Sequence, residues 1–241
     1  IDNFRLVNTE PDAIRTSNII SIDTVNNELV FVFQNAQITN TLNDIICLNI
    51  GNTLVKSARV SFNNVTAQMS VSNLFIVDGA DLETFSLSIS DFTETGAPYQ
   101  VAEVPFLFNS FIKNLTINMF NVTAIHSSLI LSTSAYASVV AKHITVSQTG
   151  KSGNLIDLSL SQDLFFNASD ISTSESQGQS LLIVKGSNIE KSQDTSPAYF
   201  INFENIASQN SSYKFLIITT PDDSNLSPNI TTRFSNITCT S

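Results

Sequence analysis

The residues of this 241-residue chain best suited to chemistry are two carboxylate pairs, Asp78 with Asp81 and Asp222 with Asp223, and two histidines, His126 and His143. Two carboxylates held about 5–9.5 Å apart across a groove are what glycosidic hydrolysis generally requires. Asp78 and Asp81 meet that spacing locally, yet they follow the apolar run Leu74–Val77 and flank Gly79, the composition of a solvated turn. Asp222 and Asp223 follow Pro221 and read as a second exposed turn. Calcium takes about 6–8 oxygen ligands, and neither pair offers more than two carboxylates. His143 lies in the alternating stretch His143-Ile144-Thr145-Val146, opposite in phase to Ile144 and Val146, and reads as an outward structural histidine. No Ser/His/Asp or Cys/His set has a spacing that would assemble a nucleophile and its base. The sequence therefore predicts no catalytic residue, no cofactor and no metal site.

A second chemistry is more plainly written. Asn-x-Ser/Thr, the acceptor triplet of N-glycosylation, occurs at Asn64, Asn114, Asn121, Asn167, Asn210, Asn225, Asn229 and Asn236. The chain holds 26 Asn and is rich in Ser and Thr, so chance supplies most of these eight. Position discriminates better than number. If Leu115, Ile117 and Met119 point inward, Asn114 and Thr116 point outward, where a transferase reaches them. Asn210 and Asn229 lie in polar stretches, and Asn167 is intermediate. Asn64, Asn121 and Asn236 occupy a repeated corner, where an inward stack would hide the amide. Asn225 is followed by Ser227 and Pro228, a poor context. Glycans are expected first at Asn114, Asn210, Asn229 and Asn167, and less at Asn64, Asn121, Asn236 and Asn225.

That corner belongs to a repeat. An apolar residue, any residue, an Asn or Asp and usually another apolar residue recur at Phe33-Gln34-Asn35-Ala36, Phe62-Asn63-Asn64-Val65 and Ile89-Ser90-Asp91-Phe92. The pattern returns at Met119-Phe120-Asn121-Val122, Phe203-Glu204-Asn205-Ile206 and Phe234-Ser235-Asn236-Ile237, with degenerate copies at Val146–Gln148 and around Asp170. The period is about 29 residues, within the range of solenoids. Before each corner runs an alternating stretch such as Phe85–Ile89 or Leu115–Met119, a half-buried strand. Earlier in each period stands a short continuous apolar run, such as Leu74–Val77, Leu181–Val184 or Phe215–Ile218. These β-branched and aromatic runs read as strands as well.

The elements are therefore strands wound into a coil. A β-sandwich turns through Asn-Gly or Asp-Gly hairpins, and Asp78-Gly79 is the only such dipeptide in a chain with 7 Gly. A leucine-rich repeat would alternate strand with helix, and no segment has helical periodicity. Asn tolerates the left-handed backbone of a bend, and its amide can bond to the Asn of the next rung. The predicted architecture is all-β: a right-handed parallel β-helix of about eight rungs. Residues 1–16 form an N-terminal extension or partial rung, and 17–241 a single domain. The corner ladder comprises Asn35, Asn64, Asp91, Asn121, Asn205 and Asn236.

The repeats Phe62-Asn63-Asn64-Val65-Thr66, Phe203-Glu204-Asn205-Ile206-Ala207 and Phe234-Ser235-Asn236-Ile237-Thr238 resemble rungs of pectin-lyase-like β-helices. They are most similar to the Asn-rich surface proteins of protists and to bacterial adhesins, over about residues 17–240. Many relatives on that fold are polysaccharide lyases or hydrolases, so the resemblance also implies an enzyme as the alternative. The residues do not carry the hydrolase pattern. Asn52-Thr53 is followed by Leu54 where that pattern has Asp, neither His126 nor His143 precedes Gly, and Arg-Ile-Lys is absent. The resemblance thus implies an extracellular structural or adhesive module.

Composition narrows the partners. Charged residues make up 13% of the chain, and 11 Lys+Arg against 21 Asp+Glu give a net charge of −10. A surface so acidic disfavours nucleic acid, which demands concentrated positive charge. No apolar run approaches the roughly 18 residues of a membrane span. The chain begins at Ile1 with no signal segment, the expectation for a processed protein or a piece of a longer one. Cys47 and Cys239 fall six or seven rungs apart, roughly 30 Å at the spacing of stacked strands. A disulfide needs Cα atoms within about 7 Å, so none is expected within the chain. First-strand runs apolar on both faces imply either a contact stripe or cover by intrachain loops such as residues 1–16 or 186–197. Ends without a polar cap point to self-association by stacking into a fibre.

Overall fold

The computed structural model describes residues 5–7, 20–22, 27–41, 46–51, 55–69, 73–79, 82–95, 105–125, 129–147, 154–175, 180–186, 196–211, 214–219 and 228–240. Asp81, His126, Asp222, Asp223 and Asn225 lie outside them. Strands β1 (Arg5–Val7), β2 (Ile20–Ile22), β3 (Asn27–Thr41), β4 (Ile46–Gly51) and β5 (Val55–Met69) open the order. They are followed by β6 (Phe75–Gly79), β7 (Leu82–Thr95), β8 (Phe106–Ile125), β9 (Ile130–Ser147) and β10 (Asn154–Leu160). Then come β11 (Leu164–Ser174), β12 (Ser180–Gly186), β13 (Ala198–Gln209), β14 (Lys214–Thr219) and β15 (Asn229–Thr240). Among the described residues there is no helix.

Every strand pairing is parallel, which short hairpins cannot produce. The chain returns after each circuit to lie beside its previous turn. One wall stacks β2, β4, β6, the starts of β8 and β9, then β10, β12 and β14. The other long ladder stacks β3, β5, β7, the remainders of β8 and β9, then β11, β13 and β15. Among the described residues that makes eight rungs, and β1 adds a short strand against Gln37–Thr39 of the first. The molecule is a parallel β-helix.

The second ladder bends once per rung. Asn35, Asn64, Asp91, Asn121, His143, Asp170, Asn205 and Asn236 all have φ between 49° and 56°. A single left-handed residue turns an extended strand sharply, and Asn, Asp and His are the non-glycine types enriched there. The bend divides the ladder into a second wall before it and a third wall after it. Inward positions then follow the pleat. On the second wall Phe33, Phe62, Ile89, Met119, Ala141, Ala168, Phe203 and Phe234 form one in-register column. On the third wall Ala36, Val65, Phe92, Val122, Ile144, Ile171, Ile206 and Ile237 form another.

The phenylalanines pack toward the N-terminal rungs. Phe62 stands 5.8 Å from Phe33, 5.8 Å from Phe75 and 5.0 Å from Phe106, in tilted and edge-on arrangements that aromatic rings favour. The interior becomes more polar toward the other end. Thr173 donates a buried hydrogen bond to Ser208 at 2.9 Å, in the column that continues to the free thiol of Cys239. Glu94, on the third rung, runs against that trend and is fully buried on the inner face of the third wall.

One sequence expectation is corrected here, and one open alternative is decided. The fifth corner is His143, 22 residues after Asn121, and not the Gln148 copy. An imidazole occupies the position because histidine also tolerates the left-handed region. The first wall, apolar on both faces, is not an open stripe. Ile76 and Ile183 stand outside the core cluster, yet they are only 9% and 5% exposed. Leu107 and Leu131, on the same outer column, are half-buried. Burial of that outer column removes the apolar surface that both-faced strands would otherwise present.

Candidate functional site

The corner residues build a ladder on the outside of the coil. The Asn64 Nδ2 donates to Asn35 Oδ1 at 2.8 Å, Asn121 Nδ2 to Asp91 Oδ1 at 2.6 Å, Asn205 Nδ2 to Asp170 Oδ1 at 3.0 Å and Asn236 Nδ2 to Asn205 Oδ1 at 2.9 Å. His143 interrupts the amide series. Its Nδ1 lies 3.7 Å from Asp170 Oδ2, and its ring meets the edge of Phe120 with centroids 5.2 Å apart. All six predicted ladder residues stand at left-handed corners, together with His143 and Asp170. Their side chains face outward, and Asn64, Asn121 and Asn236 are exposed. The inward stack expected from the sequence is thereby corrected. A left-handed residue reverses the pleat, so the apolar residue after it returns to the core while the corner itself projects.

This geometry also explains why acceptor triplets recur there. After each corner comes an inward apolar residue and then an outward one. The outward column runs Gln37, Thr66, Thr93, Thr123, Thr145, Ser172, Ala207 and Thr238. Threonine suits a pleated, half-exposed surface. Asn-apolar-Thr is thus what the bend itself selects, at Asn64, Asn121 and Asn236 alike.

The other described triplets lie on the second wall or at strand ends. Asn114 and Asn229 occupy one outward column, which passes through Tyr136, Asp163 and Ala198. Asn114 is exposed, and its Nδ2 donates to the backbone oxygen of Glu83 at 3.1 Å. Asn167 is half-buried and accepts from Asn202 Nδ2 at 2.8 Å, forming a second amide rung-to-rung contact. Asn210 is exposed with φ 47°, and its N–H donates to Thr240 O at 2.9 Å.

Among these positions is a shallow cleft of about 290 Å³, lined by Asn114, Thr116, Tyr136, Ser138, Asp163 and Phe165 among others. Phe165 continues into Phe200 on the next rung. The rings lie parallel within 7°, with centroids 5.5 Å apart, and are 44% and 42% exposed. The sequence reading missed this pair. Its signal was an apolar residue in the outward phase, in Leu164-Phe165-Phe166 and Tyr199-Phe200-Ile201, where the other rungs carry Ser86, Thr116 and Ser138.

Asp163 organises one edge of the cleft. Its Oδ1 accepts from the Ala198 N–H at 2.8 Å, pinning the start of β13. Tyr199, on the inward side, has its phenol pKa raised above the ordinary 10.0, by burial first and by the Asp163 charge second. The unfolded chain ionises this phenol at the ordinary value while the folded chain retains the proton. Stability is therefore full below that value and falls as pH climbs from it toward the raised one. Denaturant melts across this alkaline range should show the decline in the native sequence and a shallower one in Tyr199→Phe. Equal slopes would remove Tyr199 as the cause.

Of the carboxylates singled out from the sequence, Asp78 is exposed at the end of β6. Asp157, on the outer column of the first wall, is 7% exposed and receives Lys185 Nζ at 2.8 Å. Among the described residues no group of three or more His, Cys, Asp or Glu side chains is placed to hold a metal ion.

Fold and surface together define the class of protein: a parallel β-solenoid with an outward corner ladder of mostly amide side chains and, among the described residues, a cleft edged by Phe165. No family model, curated protein or solved structure matches this chain.

Proposed function

We propose that this chain is an extracellular structural glycoprotein, a surface-interaction module that stacks with copies of itself and carries N-glycans on its second wall. The observation that carries the reading is the repetition of one outward pattern among the described residues. Each rung has a left-handed corner, an amide on five rungs with Asp91, His143 and Asp170 on the others, and two residues later a hydroxyl on six rungs. Such repetition serves the coil and the surface it presents rather than one reaction centre, which would need distinct groups at a single place. The resemblance to Asn-rich pectin-lyase-like repeats of surface proteins and adhesins supports the same role. A net charge of −10 fits neither nucleic acid nor an anionic surface as partner.

Self-stacking draws support from the last rung. Ile230, Phe234 and Ile237 continue the inward columns yet are 45%, 44% and 36% exposed. Among the described residues β15 pairs with β13 alone. A strand edge over exposed apolar side chains is a template for another parallel rung, which a second copy would supply.

N-glycosylation forms a bond between the Asn Nδ2 and the anomeric carbon of the sugar. The bond from that carbon to a lipid-diphosphate leaving group breaks, and one amide proton is lost to a base. The other N–H remains to hold a ladder bond. Glycopeptide mapping of protein secreted from a glycosylating eukaryotic host tests the reading: sugars are expected at the exposed acceptors Asn114, Asn210 and Asn229 and at the exposed corners Asn64, Asn121 and Asn236, and least at half-buried Asn167. Absence of sugar from every one of these sites would contradict it.

A carbohydrate-active enzyme or carbohydrate-binding adhesin on this fold is the contending reading, favoured by the aromatic cleft alone. Depolymerisation or retention of an acidic polysaccharide by the purified protein would decide for it.

A further inference from the structure

We infer that the cleft beside Asn114 seats the first sugars of a glycan carried by Asn114 itself, with the Phe165–Phe200 stack as their apolar floor. The inference rests on the glycoprotein reading above and adds to it an intramolecular binding site.

Attachment point and floor belong to one surface. Asn114 faces Tyr136 on the next rung, Ser138 faces Phe165 on the rung after, and Phe165 faces Phe200 beyond. Asn114 and Phe165 line the same cleft of about 290 Å³, two rungs apart. Two rungs of parallel sheet span roughly 10 Å, the reach of a disaccharide. The glycan need not displace the Asn114 contact with Glu83 O, because one N–H of the amide survives the linkage.

The chemistry of the cleft selects its occupant. Its one carboxylate, Asp163, already accepts from Ala198 N–H, and no Lys or Arg lines the cleft, so an ionic ligand finds no partner there. Hydroxyls and amides border one side and a flat aromatic pair the other. A neutral pyranose has the matching halves, a rim of hydroxyls and an apolar face of C–H groups that settles on the electron-rich face of an aromatic ring. Two stacked phenylalanines each more than two-fifths exposed are also a contiguous apolar patch, which a covering sugar removes. Covalent attachment makes the contact intramolecular, so a weak interaction is enough to populate it.

The test uses protein secreted from a glycosylating host, with glycans trimmed enzymatically to the innermost two sugars, and compares the native sequence with Asn114→Gln, Phe165→Ser and the double variant. Phe165→Ser copies Ser138 of the neighbouring rung, and Phe200→Thr copies Thr231, giving a second route if the first variant is poorly secreted. In the native sequence, C–H protons of the second sugar on Asn114 should show upfield ring-current shifts, which Phe165→Ser abolishes and Phe165→Tyr retains. Asn114→Gln should lower Tm by about 2–4 °C, the equivalent of about 1 kcal/mol in a domain of this size, and by less than about 1 °C when Phe165 is already Ser. An unmodified Asn114 in the glycopeptide map would overturn the glycoprotein reading at this site and the inference with it. A glycosylated Asn114 with unshifted sugar protons and additive variants would overturn the inference alone. Ring-current shifts in a sugar on Asn167 or Asn229 instead would likewise overturn it.

Discussion

Replacing Phe62 by Ala should destabilise the chain by about 3–5 kcal/mol, the cost of excising a buried aromatic side chain and leaving its cavity. Phe62 has no exposure, and its ring is shared with Phe33, Phe75 and Phe106 on three neighbouring strands. A coil packed at interior density cannot collapse into the gap without moving two walls. The location of the damage is as informative as its size. In a solenoid each repeat contacts only its neighbours, so lost stability should appear near the altered rung first. Hydrogen exchange should therefore accelerate in β3, β5 and β7 well before β13 and β15. Phe165→Ala in the unglycosylated chain supplies the contrast: same chemistry, outward phase, and a change within about 0.5 kcal/mol. Equal effects of the two substitutions would show that inward and outward are wrongly assigned.

The second large effect is at a corner. Asn121→Val should cost about 2–3 kcal/mol. Forcing a β-branched residue into the left-handed region takes roughly 1–2 kcal/mol, and the lost hydrogen bond to Asp91 about 1 more. Asn121→Gly separates the terms, because glycine enters that region freely and loses only the bond. A loss of about 1 kcal/mol in the Gly variant and two to three times that in the Val variant is the expected pattern in urea melts. Equal losses would mean that the amide ladder, and not backbone conformation, governs the bend. The bond concerned is 2.6 Å long and accepted by a carboxylate, so the Gly variant reads a charge-assisted contact on an exposed edge.

These two sites also mark what the sequence made legible. Corners were readable because few residue types endure a positive φ, and because the core demands an apolar residue immediately after. The same rule admits histidine, and His143 escaped a search for amides and carboxylates. Inward strand positions were readable from alternation, which is why the columns through Phe62 and Ile117 could be traced before the fold. The outer face of the first wall was not. Ile76 and Ile183 are apolar whether they face solvent or lie covered, and burial there depends on packing that periodicity does not encode. The direction of the corner side chains was hidden as well, since stacking amides satisfy one another inside or outside the coil. The aromatic cleft combines residues from three rungs, 114, 136 and 165, whose convergence depends on strand register. A break in alternation at Phe165 and Phe200 was its one trace.

The walls also give the low charge a physical reason. On a solenoid, outward positions repeat at about 4.8 Å along the stack, so a charged residue adopted by every rung would face its own sign above and below. Asn, Ser and Thr hydrate the same surface without that repulsion and bond to their counterparts, as Asn167 and Asn202 do. The 13% charged content follows from the repeat itself.

The central claim, a glycosylated solenoid that stacks with itself, is tested most directly by electron microscopy of the secreted protein at increasing concentration. Eight rungs at about 4.8 Å span roughly 4 nm, so the account predicts rods whose lengths are multiples of that unit and whose population grows with concentration. Single particles of one unit length at every concentration would contradict it.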